Sequence, residues 1–400
     1  MKFEFPDSPS GIHPPTAALT RILRYKEIRN PLSTKPYTEA FLLGLGGGLG
    51  TGYILFPFKH LPHPLLRLGF RNQWNNPKAF LQKLTDRLNL NARFDVFETE
   101  RTAQKALQDT LAQNNPAIVW VDKALLPYHG IPESMEGFIN YQVAVHARDG
   151  RLWRLYLDDL SSRSFEIREK VFTSARANLH QNKFLMMTLE SAQDLSAREL
   201  RKAIIQSIED CTRQLTQPLK TIGISTLETW AEDLVDHQNH NGWSQVLNDQ
   251  EDLFTVLKSI YVSIKLDGTE GFALRKLYSD FLHEAAGYLN NPKLNAVAGQ
   301  YLQLSTHWSN LADNALPSWV PVFDRFKVLL TEKFKAYKIS NLDGCQKTQN
   351  RLKKQQSKIL RDFPLDRTKV SQLFERLSSQ IKLISELELS AALNLGDVVR

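Results

Sequence analysis

Apolar residues recur every three or four positions in three stretches of the first 120 residues, which predicts helices there. Thr16–Ile28 sets Ala17, Ala18, Ile22 and Leu23 on one side. Lys78–Leu88 turns Phe80, Leu81, Leu84 and Leu88 inward behind Asn76-Pro77, and proline suits a first helical turn. Thr99–Gln113 carries Ala103, Ala106, Leu107 and Leu111, with Thr99 as its N-cap. Strand patterns come next. Ala117–Val121 is short, apolar and β-branched, the pattern of a fully buried strand. Tyr141–Ala147 and Leu152–Leu157 flank Arg148-Asp149-Gly150, where Asp-Gly signals a hairpin turn. Ser164–Ile167 and Phe184–Leu189 read as edge strands, so an antiparallel sheet is expected. The longest apolar stretch, Ala40–Phe58, is interrupted by six glycines and reads as a buried turn and strand.

After about residue 195 strand patterns nearly vanish. Leu200–Leu215, Thr226–Asp236, Gln250–Tyr261, Phe272–Tyr288 and Ala296–Ala312 all have helical spacing. So does Val322–Ile339, and Gln346–Phe363 is basic and polar. Arg367–Leu393 spaces Val370, Leu373, Leu377, Ile381, Ile384 and Leu387 by three or four, an amphipathic stripe. Such a stripe normally faces its own core, and a homodimer contact is the other use open to it. The expected architecture is an α+β domain over residues 1–192, an all-α domain over 193–320 and an amphipathic helical region over 321–400. A length of 400 residues, at roughly 100–200 per domain, agrees with two or three domains.

Composition narrows the function classes. Residues 1–210 contain no cysteine, and Cys211 and Cys345 are far apart, so a disulfide framework and a cysteine-rich zinc site are not expected. A reduced, cytoplasmic setting fits. Met1–Asp7 shows no apolar run behind a basic start, and no stretch suits a membrane span. The net charge of +7 is mild. It suits solubility or an acidic protein partner, and no basic module for nucleic acid is evident. His60 with His63, and His237 with His240, lie in polar or proline-broken runs and are not expected to hold metal.

Two stretches carry a resemblance. The first is Gly11-Ile12-His13-Pro14-Pro15-Thr16 followed by Thr38-Glu39 and the glycine run Gly44–Gly52. The second is Val119-Trp120-Val121-Asp122 with Leu126-Pro127-Tyr128-His129, then Gln142–Val145 and Leu155–Asp158. Together they resemble the butirosin biosynthesis protein H N-terminal family. Gly268–Phe272, Arg275, Tyr278, Phe281 and Trp308 resemble the helical domain usually fused to it. The resemblance implies a papain-like fold and an ancestral acyl transfer from an acyl carrier protein to an amine. It implies no tightly bound cofactor beyond the phosphopantetheine arm of that carrier. It also implies a cysteine opening the first helix, a histidine opening a central strand and an acidic residue on the next. A helix field and a neighbouring histidine would activate such a thiol.

The chain departs from that pattern at the reacting positions. The cysteine slot is Pro14, the histidine slot is Asn140 (or Tyr141 with a one-residue slip), and the acidic slot is Asp158 or Asp159. His13, Glu39 and Asp158 are the catalytic candidates. His146 shares strand parity with Asn140, and Thr16 lies on the first helical turn with no base evident near it. Gly46, Gly47, Gly48, Asp122 and Tyr128 are candidates to line or bind in the old cleft. Two readings follow: a catalytically degenerate binding or scaffold protein for an acyl carrier or a small acyl or amine ligand, or an enzyme with rebuilt, non-cysteine chemistry. Convergence of His13, Glu39, Asn140 and Asp158 would favour the enzyme.

Overall fold

The computed structural model describes residues 10–59, 61–217 and 222–399; Met1–Asp7 and His60 therefore lie outside the described residues. In chain order these form α1 (Pro14–Tyr25), α2 (Glu39–Leu45), β1 (Leu49–Phe56), β2 (Leu65–Arg71), α3 (Pro77–Arg87), β3 (Leu90–Val96), α4 (Glu100–Ala112), β4 (Ala117–Asp122), β5 (Asn140–Asp149), β6 (Arg154–Asp158), β7 (Phe165–Arg168), α5 (Glu169–Ala177) and β8 (Leu185–Ala192). Helices follow: α6 (Ala197–Thr216), α7 (Ser225–Val235), α8 (Trp243–Val246), α9 (Gln250–Lys265), α10 (Arg275–Leu289), α11 (Lys293–Ala315), α12 (Pro321–Lys338), α13 (Leu342–Arg361) and α14 (Arg367–Val399). The N-terminal part thus holds the sheet and the C-terminal part is helical, as the patterns predict.

Local chemistry explains the boundaries. Thr99 caps α4 by accepting from the Thr102 amide, and the Thr102 hydroxyl answers the Thr99 amide. Asp249 caps α9 by accepting from the amides of Glu251 and Asp252. Asp149 and Gly150 close the β5–β6 hairpin, with the Asp149 carboxylate accepting from the amides of Arg151 and Leu152.

The chain divides into two compact units that are not contiguous in sequence. The first contains residues 1–39, 85–197 and 331–350; the second contains 40–84, 198–330 and 351–400. This differs from contiguous boundaries at 192 and 320. The physical reason lies in burial. The glycine-rich β1 packs with α7, and β2 with α9, in the second unit. Tyr337 and Cys345 join the core of the first unit, beside Tyr128, Val143 and Phe165.

In the first unit six strands lie in the order β3-β8-β4-β5-β6-β7, every pair antiparallel. β7 is an edge, as expected. β8 is not: it lies between β3 and β4, because β3 is a strand that sequence reading missed. The burial of β3 is irregular, so it shows no clean two-residue period. α1 packs on β5 and β4, and Ala117 through Asp122 are wholly buried. In the second unit β1 and β2 form an antiparallel two-stranded ribbon among α7, α9, α10, α11 and α14. Ahead of it Ala40–Leu45 is helical rather than a turn. Among the described residues, no helix is long and apolar enough to cross a membrane.

Candidate functional site at the start of α1

α1 begins with two prolines, so its first two positions bring no N–H. The preceding amides are bound from another segment. The Ile12 amide donates to both Glu39 oxygens at 3.1 and 3.0 Å, and the His13 amide donates to Glu39 Oε1 at 2.5 Å. The Thr16 hydroxyl lies 3.1 Å from Glu39 Oε1 and 3.0 Å from His13 Nδ1. A helix start is where the backbone favours an anion, and here the chain's own carboxylate occupies that place. Burial raises the Glu39 carboxyl above its ordinary value, against the pull of the His13 and Ile12 amides, the Thr16 hydroxyl and Lys338.

His13 and Glu39 are therefore brought together. The expectation that Thr16 has no base near it is corrected, because a helical turn carries Thr16 back onto His13. Thr16 is completely buried, so a substrate carbonyl cannot reach its hydroxyl. Pro14 presents no nucleophile.

Asp158 closes β6 and goes to different partners. Its carboxylate accepts from the Ser164 hydroxyl at 2.6 Å, lies 3.3 Å from Arg21 Nη1 and 3.6 Å from His146 Nε2. Burial alone would raise its pKa, but His146, Arg21 and Ser164 together hold it below the ordinary value. Arg21 sits on the inner face of α1 and also donates to the carbonyls of Asp159 and Ser161. It fastens α1 to the end of β6.

Asp159 is the better-connected residue of the pair. Oδ1 accepts from the Tyr141 hydroxyl at 2.6 Å and the Leu160 amide at 2.8 Å. Oδ2 lies 3.2 Å from the Tyr128 hydroxyl and 3.2 Å from His129 Nε2. Burial works against this charge, yet His129, Tyr141 and Tyr337 together push its pKa down to about 2. So the slipped pair of slots, Tyr141 and Asp159, is joined by a direct hydrogen bond. The nearby carboxylate keeps the phenols protonated: burial and then Asp159 raise both Tyr128 and Tyr337 well above the usual range.

Tyr337 reaches this cluster from α12. Its ring stacks with those of Tyr128 and Phe165, and its hydroxyl accepts from the Leu160 amide at 3.2 Å. The Lys338 carbonyl accepts from the Ser162 amide at 2.7 Å, and the Lys338 ammonium donates to the Gly11 carbonyl. A late segment of the chain thus straps the start of α1 to the end of β6.

The remaining expected residues have other duties. Asn140 pairs with Asp122 across β5 and β4 and accepts from the Gln142 side chain at 3.3 Å. Asp122, wholly buried, accepts from the Ala124 and Gly137 amides and from Asn178. It anchors the loop that carries Tyr128, with both oxygens engaged by those bonds. Gly46, Gly47 and Gly48 belong to the second compact unit. Phe80 lies against Gly46, the Asn72 side-chain Nδ2 donates to the Gly47 carbonyl at 3.0 Å, and Tyr278 and Cys211 fill the space beside Gly48. Gly47 and Gly48 have φ of +112° and +68°, so the turn into β1 requires glycine. The run serves close packing there. His63 bonds Asp252 at 2.9 Å, while His237 and His240 are exposed. His146 sits at a register shift in β5, bonded to Ser164 at 2.8 Å.

Topology adds a group that the first 210 residues lack. The sheet-containing unit does hold a thiol, because Cys345 returns to its core more than two hundred residues after the sheet begins. Burial raises that thiol, outweighing the opposite pull of Lys333. Arg21, His129 and Tyr337 were missed as site residues. An arginine among Ala17, Ala18, Ile22 and Leu23 was the visible signal for the first, and Leu-Pro-Tyr-His for the second. Nothing local marks Tyr337.

No curated protein matches the chain. Residues 172–317 match a domain of unknown function (DUF4872). Residues 13–159 match the family described as butirosin biosynthesis protein H, N-terminal, and span α1 through Asp159. The resemblance first read from the glycine run and Leu-Pro-Tyr-His is thereby shown for residues 13–159, which match the butirosin biosynthesis protein H N-terminal family, with a separate matched domain following over residues 172–317.

Proposed function

We propose that this chain is a catalytically silent descendant of an acyl-carrier-protein-dependent acyltransferase, acting as a binding or scaffold protein in cytoplasmic specialised metabolism. The family gives the acyltransferase-related ancestry. The observation that carries silence is at the start of α1: Pro14 offers no nucleophile, and the anion position is filled by Glu39. An acyl transfer of the ancestral kind needs that position for a thiolate or for the developing oxyanion. A helix start packed on an antiparallel sheet, with an acidic residue at the end of the following strand, supports a papain-like ancestry. The net charge of +7 suits an acidic carrier protein whose pantetheine arm brings an acyl group. A small acyl or amine ligand is the alternative cargo.

The runner-up is an enzyme with rebuilt chemistry, and one observation favours it. His129 is oriented by the Asp159 carboxylate as a general base would be. The test mixes acyl-loaded carrier protein with the chain, with and without an amine acceptor, for wild type and His129→Gln. Binding with the acyl group lost only at the buffer rate is expected. Amine-dependent acyl loss that His129→Gln abolishes would establish the enzyme, and absence of binding would remove the carrier protein.

A further inference from the structure

α7 carries Glu228, Glu232 and Asp233 and no lysine or arginine. Leu227, Trp230, Ala231 and Leu234 turn inward, which leaves Glu228 and Glu232, one helical turn apart, exposed. α14 packs along this helix, and the Ser378 hydroxyl donates to the Ala231 carbonyl at 2.7 Å, which ties the two together. Beside that tie a groove of about 260 Å³ opens between the helices, lined by Glu228, Glu232, Lys382, Ser385, Glu386 and Leu389. All of these residues belong to the second compact unit.

The lining sets three carboxylates against one ammonium, and none of these four side chains forms an ion pair or hydrogen bond among the described residues. Ser385 is an independent mark of a site. It is only 4% exposed, yet its hydroxyl has no hydrogen-bond partner among the described residues and faces the groove. Helical serines such as Ser259 and Ser379 turn back onto the carbonyl four residues earlier. Ser385 does not, and a buried hydroxyl left unpaired is costly unless something binds it. The negative field extends along α7: burial first, then the charges of Glu232 and Asp236, push the Asp233 carboxyl up to about 6 against the pull of the Tyr53 hydroxyl.

The carboxylates are spread rather than gathered. Among the described residues no group of three His, Cys, Asp or Glu is placed to hold a metal ion. Four residues of helix set Glu228 and Glu232 about 6 Å apart along the axis. That spacing is complementary to an elongated cation, charged at both ends with a short hydrocarbon between. We propose that this groove binds a short aliphatic diamine, with Glu228, Glu232 and Glu386 as counter-charges, the Ser385 hydroxyl accepting an N–H and Leu389 covering the methylenes. Lys382 opposes the ligand and limits its affinity. The site is independent of the proposal made for the start of α1.

Calorimetric titration of the full chain with putrescine, butylamine and Mg²⁺ in about 150 mM salt tests this. Saturable putrescine binding is expected, with butylamine and Mg²⁺ each weaker by about tenfold or more. Glu228→Gln/Glu232→Gln, at two exposed positions, should weaken putrescine by about tenfold, and Ser385→Ala by about threefold. Lys382→Met, also at an exposed position, should tighten it by about threefold. Equal binding of putrescine and butylamine would overturn the proposal, as would a double glutamine variant or Ser385→Ala that binds putrescine like wild type, or a Lys382→Met variant that binds it more weakly. Mg²⁺ binding more tightly than putrescine would overturn the diamine assignment, and no saturation by about 10 mM would remove the site.

Discussion

Each compact unit buries a carboxylate, and the two are held in opposite ways. In the sheet-containing unit Asp159 uses both oxygens, accepting from two phenols and an amide and facing His129. In the helical unit Glu388 uses one. Its Oε1 accepts from Arg275 Nε at 2.6 Å and from the Trp308 indole at 2.8 Å, while Oε2, also buried, has no hydrogen-bond partner among the described residues. Arg275 in turn donates to the carbonyls of Gly50, Phe70 and Ala273, and neither it nor Glu388 is exposed at all. A carboxylate satisfied by directed hydrogen bonds depends on many groups, each worth little. A carboxylate balanced by a buried cation depends on one partner. The first arrangement ties α12, β5 and the loop after β4 to the end of β6. The second is a structural pin.

The largest expected effect breaks the second arrangement. Arg275→Met leaves Glu388 buried with no counter-charge and should cost about 3–5 kcal/mol in denaturant unfolding, with Arg275→Met/Glu388→Leu recovering much of it. If the single variant unfolds like wild type, the pair is not the pin described.

The next effect sharpens the first arrangement. Asp159 has a folded pKa of about 2 against an ordinary 3.8. A depressed carboxylate stabilises the fold fully above pH about 4 and loses that contribution as the pH falls through about 2, a difference of about 2 kcal/mol. Asp159→Asn should therefore flatten the acid limb of a stability-against-pH curve over that window. An unchanged limb would mean that the phenols and His129 do not hold the charge.

A smaller effect concerns the carboxylate at the start of α1. Glu39→Ala removes the acceptor for the Ile12 and His13 amides and should cost about 1 kcal/mol, read by thermal unfolding. If it instead gives acyl turnover absent from wild type, Glu39 does more than cap the helix start. The smallest effect is Tyr337→Phe. It keeps the ring stack and removes one hydroxyl, costing about 0.5–1.5 kcal/mol and moving the Asp159 acid limb to higher pH.

Much of the architecture was legible from local pattern. α4 and its Thr99 cap, the Asp-Gly hairpin, the buried β4 and the helices after residue 195 all follow from spacing and capping chemistry. β3 was not legible, because its sequence alternates poorly and it takes its place only by pairing with β8. α2 was hidden by the glycines around it. At the site, Glu39 beside His13 was within reach of motif reading. Sequence reading puts Asp158 ahead of Asp159 as the candidate, since adjacent residues at a strand end differ only in which neighbours they meet.

By itself, then, the sequence determined that Pro14 cannot be a nucleophile, that a sheet precedes a helical part, and which family residues 13–159 match. Those properties reside in residue type and in short-range periodicity. Only the tertiary structure decided that Glu39 fills the anion position of α1, that the glycine run packs in the helical unit, and that Tyr337 and Cys345 return to the core of the sheet. Each of these pairs residues far apart in the chain. Such contacts are selected by which buried surfaces and polar groups satisfy one another, and no local pattern encodes that choice.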